Sequence, residues 1–558
     1  MKNLLLSILL LLPLWMFAQT DAAFMETKNA KKSLRYAQSL INKGQLKKAK
    51  KQLQHTIKVK DDFAVAYREL GMVCLELEEY GPAIDAFNKS FELDDKLSRA
   101  AFFECGEAHF KQGDSEKGME FFQKYMDLKH TGYANKQKES GLEVAYDLLL
   151  PERLQNCAYL KQLPTADPSI APENMGNNIN SANDDYLPTI TSDGEHLVYT
   201  RTERNEDQNI YISRFEGIDW NKGKPFGQQL NTDKNEGMAK FEAHGRAFYF
   251  AGCMRADTEG GCDIYQANLH DGQIESVNRL DGTLNSRFWD SQPSITCDGT
   301  AMYFSSTRDG GLGGADIWVS YLNTKGQWGT PINPGPSINS PGDEEAPYIS
   351  NDGHTLYFSS TGHPGQGDGD LFMARYDGQT WSKAQNMDHP FNSPAKEMGI
   401  YVQADGKTAY FSSARPGGKG GLDIYKVELP EQFRPNPIVQ VSGTVVDAVT
   451  GEPVECTVKI TRKEQKTSLQ TNEEGWFFLC LSGDKGYSFQ INEKGYEYFM
   501  DAQFLASGNH KKPIELAFQL QPIQKARPEL VAKGIPLKEK RIQFFFDFDS
   551  YELSQEAT

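Results

Sequence analysis

Several residue types and patterns are scarce in this chain, and each scarcity excludes a class of protein. Its 558 residues include only eight cysteines, too few for a disulfide scaffold. The ten histidines stand singly, without the His-Glu-x-x-His spacing of a zinc hydrolase. The sequence also contains no Gly-x-Ser-x-Gly elbow and no phosphate-binding glycine loop. These absences favour a protein that is not an enzyme and that has no catalytic residues, cofactor or metal.

Long apolar runs are missing after the first residues. Leu4 to Leu12 is apolar, follows one lysine and precedes Ala18, which predicts a cleaved secretory signal over residues 1–19. No later run is long enough to cross a bilayer. The formal charge of −17 argues against nucleic acid as a partner. The sequence therefore predicts an exported protein.

Acidic residues are absent from one segment of this acidic chain. Lys28 to Lys60 contains eleven lysines and arginines and no aspartate or glutamate. Such a segment either docks an acidic partner or anionic lipid head groups, or is simply a solvated helix face. The candidate docking residues are Lys31, Lys32, Lys47, Lys48, Lys50 and Lys51.

What is present, above all, is one pattern written five times in the middle of the chain. Its turn dipeptides are Asp193-Gly194, His244-Gly245, Asp298-Gly299, Asp352-Gly353 and Asp405-Gly406, at intervals of 51, 54, 54 and 53 residues. Asp-Gly between alternating apolar residues is a strong hairpin signal, and a long fixed period indicates a repeat architecture. Four short strands per copy predict a β-propeller.

The ends of the copies predict how the propeller closes. The fifth copy stops at Leu429 without the fourth strand that ends the other copies. A matching segment, Pro172 to Ser181, precedes the first copy. If that segment completes the last blade, no edge strand is left open. We therefore predict five blades over residues 172–429.

Two repeated features of the propeller have a functional and a structural interpretation. Gly-rich tips such as Gly310 to Asp316 either bind calcium or satisfy tight hairpin geometry, with the aspartate bonding the turn. We favour the structural interpretation of the tips. Arg255, Arg308 and Arg415 recur near the same hairpin and either form a docking ring on one face or make ion pairs between blades.

The segment before the propeller has a helical pattern. Gly44, Glu78 and Gly113 begin matching turns, 34 and 35 residues apart, which is the tetratricopeptide period. The segment resembles the tetratricopeptide family, which implies a protein-binding solenoid over residues 28–150. A further helix from Ala134 to Leu149 is expected to cap it, with Pro151 ending the helix and a linker over 151–171.

The segment after the propeller alternates apolar and polar residues between glycine-containing turns. This pattern predicts a small β-sandwich of about seven strands over residues 438–521. It resembles the regulatory-type sandwich that accompanies carboxypeptidases and outer-membrane receptors, at Gly443, Asp447, Gly475 and Phe477 among others. The cysteines suggest two candidate disulfides in an exported chain, Cys253 with Cys262 and Cys456 with Cys480.

The last residues bear a further resemblance. After a linker over 522–540, residues 541–558 read "RIQFFFDFDSYELSQEAT", which resembles the opening of the OmpA-type peptidoglycan-binding domain. The residues that grip peptidoglycan in that family come later than these eighteen. Binding to peptidoglycan is therefore an expectation for a chain that continues through the rest of the domain.

The order of these parts resembles the PorE-type periplasmic component of the type IX secretion system. That resemblance implies a non-enzymatic scaffold in the periplasm, associated with the outer membrane, that holds secretion-system subunits near the wall. A second hypothesis is a sensor that binds a small peptide or glycan in the propeller channel. A third is an enzyme with an unrecognised site there, which predicts convergent polar groups in that channel.

Overall fold

The computed structural model describes residues 28–130, 141–163, 170–203, 207–243, 245–270, 273–280, 282–323, 325–463, 465–506 and 513–523. The predicted signal segment, the OmpA-like residues 541–558 and His244 lie outside the described residues. The remaining predictions fall on residues whose structure is described at least in part.

The N-terminal part is a stack of antiparallel α-helices. The described helices are α1 (Lys28–Ile41), α2 (Leu46–Val59), α3 (Ala64–Glu76), α4 (Tyr80–Leu93), α5 (Ala100–Lys111), α6 (Ser115–Asp127) and α7 (Gly141–Leu160), with a 3-10 turn at Leu128–His130. Leu53, Phe87 and Phe122 are fully buried on α2, α4 and α6. A Cβ atom on Gly71 or Gly106 would lie 2.8 or 2.7 Å from a ring carbon of these phenylalanines. Close packing at these glycines matches the predicted three-fold repeat.

The predicted stop at Pro151 is wrong, because α7 continues through it to Leu160. Proline removes one helical hydrogen bond and clashes with the preceding turn. The second half of α7 is held by other contacts that compensate for this loss. Arg153 donates to Glu107 at 2.5 Å, and its guanidinium lies 5.7 Å from the Phe110 ring centroid. Much of the predicted linker over 151–171 is therefore helix.

The middle of the chain forms five antiparallel sheets. Sheet 1 contains β2 (Asp185–Ile190), β3 (His196–Thr202), β4 (Gln208–Arg214) and β5 (Lys224–Pro225); sheet 2 contains β6 (Asn235–Phe241), β7 (Ala247–Cys253), β8 (Cys262–His270) and β9 (Gln273–Arg279); sheet 3 contains β10 (Asp290–Ile295), β11 (Ala301–Ser306) and β12 (Asp316–Tyr321); sheet 4 contains β13 (Glu344–Ile349), β14 (Thr355–Ser360), β15 (Asp370–Arg375) and β16 (Gln385–Asn386); sheet 5 contains β17 (Glu397–Val402), β18 (Thr408–Ser413), β19 (Asp423–Glu428) and β1 (Glu173–Asn174). We call these sheets together the sheet ring.

The sheet ring closes through the segment that precedes it. β1 pairs antiparallel with β19, with Glu173 opposite Lys426, as the sequence predicts for the residues before the first copy. The first strands of the sheets contact one another in the closed order β2, β6, β10, β13, β17 and β2 again. In sheet 3 the fourth position is reduced to a single bridge between Val319 and Ile332.

The C-terminal described part is a two-sheet β-sandwich. Its strands are β20 (Ile438–Asp447), β21 (Thr457–Arg462), β22 (Gln465–Gln470), β23 (Trp476–Ser482), β24 (Lys485–Ile491), β25 (Phe499–Leu505) and β26 (Ile514–Leu520). One sheet has the order β23-β20-β26 and the other β22-β21-β24-β25. Buried residues of both sheets form one core that includes Phe477, Phe489 and Phe518.

Candidate docking surfaces and the central channel

Each sheet of the ring begins at a buried carboxylate. The five acidic residues are Asp185, Glu236, Asp290, Glu344 and Glu397, all fully buried. Each accepts hydrogen bonds from the backbone N–H and the hydroxyl of a serine or threonine four residues earlier. These bonds connect each turn to the first strand that follows it.

The asparagine before each serine or threonine joins one sheet to the next. These residues are Asn180, Asn231, Asn285, Asn339 and Asn392, and each side chain bonds both the N–H and the C=O of one residue on a third strand. Asn180 bonds Ile424 across 244 residues of sequence. The hydroxyl and acidic residues that follow this asparagine also recur in all five copies.

The three predicted arginines lie beside these carboxylates. The guanidinium-to-carboxylate distances are 3.4 Å for Arg255 and Glu236, 2.5 Å for Arg308 and Asp290, and 3.6 Å for Arg415 and Glu397. The arginine side chains are only 15, 11 and 16% exposed. They also donate to backbone carbonyls of the segment that leads in from the preceding sheet. Each of these ion pairs lies within a single sheet, so the prediction of ion pairs between blades is wrong for these three arginines. Their role in docking stays a prediction.

Sequence reasoning missed a fourth member of this set. Arg201 donates to Asp185 at 2.5 Å and to the Ile179 carbonyl at 2.7 Å. It stands on β3 itself rather than after the second strand, so the alignment of the copies does not pick it out. Sheet 4 has His363 instead, whose Nε2 lies 2.8 Å from the Ile338 carbonyl oxygen.

The Gly-rich tips are closed by the aspartate that follows them. Asp316 accepts from Leu312 N–H at 2.5 Å and from Gly313 N–H at 3.0 Å, and the aspartates of sheets 2, 4 and 5 make the same pair of bonds. A Cβ atom on Gly313 would overlap the Gly342 carbonyl oxygen of the next sheet. This geometry matches the structural interpretation of the tips. Among the described residues, no group of three or more His, Cys, Asp or Glu side chains is placed to hold a metal ion.

The first strands of the five sheets surround a narrow central channel. Each of them contains a β-bulge at a residue with positive φ. These residues are Leu187, Met238, Gln292, Ala346 and Gly399. The cavity that they line has a volume of about 40 Å³, which is room for a few water molecules, because one water needs about 10–15 Å³ of such volume. The bulges were not predicted, since four of the five residues are not glycine.

One lysine projects into this channel. The Lys240 ammonium lies 4.0 Å from the Tyr348 ring centroid and 4.5 Å from that of Tyr401. Burial lowers its pKa well below the ordinary value. Besides the two tyrosines, the polar side chains that line this cavity among the described residues are Thr189 and Gln292. Lysine and tyrosine can both take part in proton transfer, so the enzyme hypothesis stays a prediction.

The helical stack contacts the sheet ring through the tip of sheet 4. Lys111 at the end of α5 forms an ion pair with Asp368. Tyr159 on α7 donates to Asp388, and the Asn156 amide oxygen accepts from Gly365 N–H at 3.2 Å. Burial raises the pKa of Asp388. The last turns of the stack are thereby attached to the ring.

The sandwich is attached to the ring by a disulfide that was not predicted. Cys253 pairs with Cys262 as expected, but Cys480 pairs with Cys297, and Cys456 is a buried thiol. The prediction of Cys456 with Cys480 is wrong because Cys456 lies in the sandwich core, whereas Cys480 alternates with the core residues Leu479 and Leu481 on β23 and faces away from it.

A second contact lies beside this disulfide. The Arg246 guanidinium lies 4.3 Å from the Trp476 ring centroid, and it is 3.4 Å from Glu474. Cys480 also borders a cleft of about 610 Å³, which lies between the sandwich and the turn of sheet 4 that contains Asp352. The ring and the sandwich are therefore joined by covalent and non-covalent contacts.

The predicted docking lysines lie at the opposite end of the helical stack. α1 and α2 bury Leu34, Ala37, Ala49 and Leu53 and turn most of their basic residues outward. Lys50 forms an ion pair with Glu79, so it is partly engaged. The other predicted docking lysines, Lys31, Lys32, Lys47, Lys48 and Lys51, have no acidic partner among the described residues. Within the described ranges, no helix has the length and apolar character needed to cross a membrane.

No protein-family model and no curated protein matches the chain. The putative TolB of Agrobacterium tumefaciens is similar over 43% of this chain and 73% of its own, at 17% identity and a TM-score of 0.27. The Yersinia enterocolitica type III secretion chaperone SycD, in complex with a peptide of the translocator YopD, matches over 25% of this chain and 98% of its own. The identity is 13% and the TM-score is 0.22.

A thermostable family-43 glycoside hydrolase matches over 46% of this chain and 92% of its own, at 15% identity and a TM-score of 0.33. Because these identities and scores are low, none of the likenesses assigns a function to this chain.

Proposed function

We propose that this protein is a non-enzymatic periplasmic scaffold. In this proposal the tetratricopeptide-like stack and the sheet ring, taken as a five-bladed TolB-like propeller, bind subunits of a type IX secretion system. A complete OmpA-like domain following the sandwich tethers the assembly to peptidoglycan. The mechanism is multivalent linkage, in which contacts on one chain raise the effective concentration of the bound subunits.

The observation that supports the proposal most directly is the pair of attached junctions. The stack is joined to sheet 4 through Lys111 and Tyr159, and the sandwich is joined to sheet 3 through Cys297 and Cys480. Direct contacts of this kind keep separate surfaces in a constant relation, and a scaffold requires that relation. A flexible tether would only limit their distance.

The size of the channel favours the scaffold over the sensor. Ligand pockets usually measure about 300–1,000 Å³, whereas the cavity that the five bulges line measures about 40 Å³. A peptide or glycan would have to displace Lys240 and the bulges around it. The alternative of a periplasmic sensor therefore requires a wider channel than the one observed.

A crosslinked capture from the native periplasm tests the proposal. The bait is this chain, compared with a version extended through a complete OmpA-like domain. We expect both baits to recover secretion-system subunits, and only the longer one to recover peptidoglycan fragments. Recovery of no protein partner by either bait would contradict the scaffold. A ligand that raises the melting temperature, with no protein captured, would favour the sensor.

A further inference from the structure

The first two helices and the turn that joins them carry an unusual concentration of uncompensated positive charge. We call residues 28–60 the basic hairpin. It has eleven basic and no acidic residues in a chain of net charge −17. Among the described residues, only Lys50 and Lys60 of the hairpin form ion pairs, with Glu79 and Asp62. No ion pair with a described acidic residue is formed by the other basic residues whose side chains are described.

These charges form two rows on the outside of the hairpin. Lys32, Arg35 and Lys43 are exposed along α1 and the turn after it. Lys47, Lys51 and Lys58 are exposed on α2, at spacings of four and seven residues that place them on one helix face. Like charges at i and i+4 destabilise an isolated helix. An anionic partner would remove that penalty along the whole row.

The shape of the charged area suits an extended partner. Each helix has 14 residues, which corresponds to a length of about 20 Å, and neighbouring helices lie about 10 Å apart. The charges are therefore spread over an area that covers several lipid head groups. Large apolar side chains exposed within it are limited to Tyr36 and Val59, so the described hairpin lacks the buried anchors typical of a protein interface.

The residue type points in the same direction. Lysine is depleted at protein–protein interfaces, because its flexible, strongly hydrated ammonium forms poorly ordered contacts. Ten of the eleven basic residues are lysines. The same flexibility suits head groups that move in the membrane plane. Each basic residue near an anionic surface contributes separately to binding.

The position of the hairpin leaves it accessible. The helices follow one another in contact from α1 to α7, and the α5 and α7 end is attached to sheet 4. Among the described residues, the basic hairpin is thus the end of the stack that lies away from the ring. We propose that it docks on the head groups of phospholipids with a net negative charge in a bilayer. This inference adds a membrane contact to the proposed scaffold and does not depend on its protein partners.

Vesicle co-sedimentation of the full chain tests the proposal. The probes are mixed phosphatidylglycerol–phosphatidylcholine vesicles and pure phosphatidylcholine vesicles. The test variant replaces Lys32, Arg35, Lys43, Lys47, Lys51 and Lys58 with glutamine. The control variant replaces six exposed lysines of the sheet ring with glutamine, namely Lys222, Lys224, Lys383, Lys407, Lys419 and Lys426. Both variants keep the same N-terminal segment and the same net charge, so neither feature explains a difference between them.

We expect the original chain and the control to bind the anionic vesicles. The test variant should bind them at least about 100-fold more weakly than the control. Raising the salt from about 0.1 to about 0.5 M should remove the difference, because salt screens exposed charges. Helical circular dichroism identifies a variant that has failed to fold; in that case a variant with only the α2 lysines replaced is used, for which about a 10-fold loss is expected.

Equal binding by the test and control variants would overturn the proposal, and so would equal binding to neutral vesicles. Retained vesicle binding with loss of a captured protein partner would instead make the hairpin a protein-docking face. Capture of secretion subunits in detergent, without any bilayer, is expected to be the same for both variants. A failure of the scaffold proposal is therefore separable from a failure of this one.

Discussion

Sheets 3 and 4 share the repeated sequence pattern but use their tips differently. In sheet 3, Asp316 receives a hydrogen bond from the Asn333 amide at 2.8 Å in addition to the two tip N–H groups. In sheet 4 the corresponding Asn386 donates to the Pro364 carbonyl instead. Asp370 is left with an unbonded, buried Oδ1, and burial raises its pKa well above the ordinary value.

The difference follows from what lies above each tip. The tip of sheet 3 is exposed, whereas residues 365–388 of sheet 4 bond α5 and α7. Sheet 4 also has His363 in place of the arginine that bonds the buried carboxylate in the other sheets. In sheet 3 the polar groups of the tip bond within the ring. In sheet 4 some of the equivalent groups bond the helical stack instead, so the same repeated unit becomes a docking surface.

The largest difference in the free energy of unfolding is expected between variants of Arg308 in sheet 3 and His363 in sheet 4. Arg308→Met leaves the fully buried Asp290 without its cation, which we expect to lower the free energy of unfolding by about 3–5 kcal/mol. His363→Phe removes one hydrogen bond to a carbonyl group and should cost about 1 kcal/mol. Urea denaturation of both variants checks this order. Equal losses would contradict a stabilising role of the ion pair between Arg308 and Asp290.

The tip glycine should show a smaller effect. Gly367→Ala places a Cβ atom against the Ala395 carbonyl oxygen of sheet 5, and overpacking of this kind costs about 1–3 kcal/mol. Gly486→Ala in β24 is the matched control, since no atom lies within 4 Å of the added Cβ. Thermal denaturation should separate the two. A stable Gly367→Ala variant would show that sheets 4 and 5 are not in close backbone contact.

The buried Glu397 of sheet 5 extends the comparison to pH. Burial raises its pKa to about 7 from 4.5, so the folded state holds a proton that the unfolded state has released. Stability is therefore lost as the pH rises from about 4.5 to about 7, by at most about 3 kcal/mol. Glu397→Gln should remove this slope in urea denaturation at several pH values. The exposed Glu216→Gln serves as control, and an unchanged slope in Glu397→Gln would contradict the assignment.

The tip aspartates should show the smallest effects, with different outcomes in the two sheets. Asp316→Asn exchanges an acceptor of three hydrogen bonds for an amide, which should cost about 1–2 kcal/mol. Asp370→Asn should be neutral or stabilising, because it removes a buried carboxyl group with an unbonded oxygen. The melting temperatures of the two variants check this. A larger loss in Asp370→Asn would mean that this carboxylate is needed where it lies.

The parts of the fold that follow from short-range patterns were predictable from the sequence. Asp-Gly turns, the five-fold period and the match of Pro172 to Ser181 with the end of the copies are local signals, and the pairing of β1 with β19 agrees with them. The helical register set by Leu53, Phe87 and Phe122 is local in the same sense. The basic hairpin was visible as a charge pattern, although its partner was not.

Other features depended on contacts between distant residues. Pro151 was predicted to end a helix because its local cost is high, but Arg153 and Tyr159 hold the rest of α7 in place. Cys480 was paired with the nearer cysteine in sequence, while strand alternation turned it toward Cys297. The sequence did not identify the partners of the three repeated arginines, which are carboxylates on the first strand of the same sheet.

The sequence by itself determined which residues form turns, strands and repeats, because backbone preference and hydrophobic period act over a few residues. Only the tertiary structure decided the bond partners of repeated side chains. Asp316 and Asp370 occupy the same position in their copies, yet one bonds an asparagine and the other lies beneath a helix. The free energy of a buried polar group depends on its nearest donors, and long-range packing brings those donors to the site.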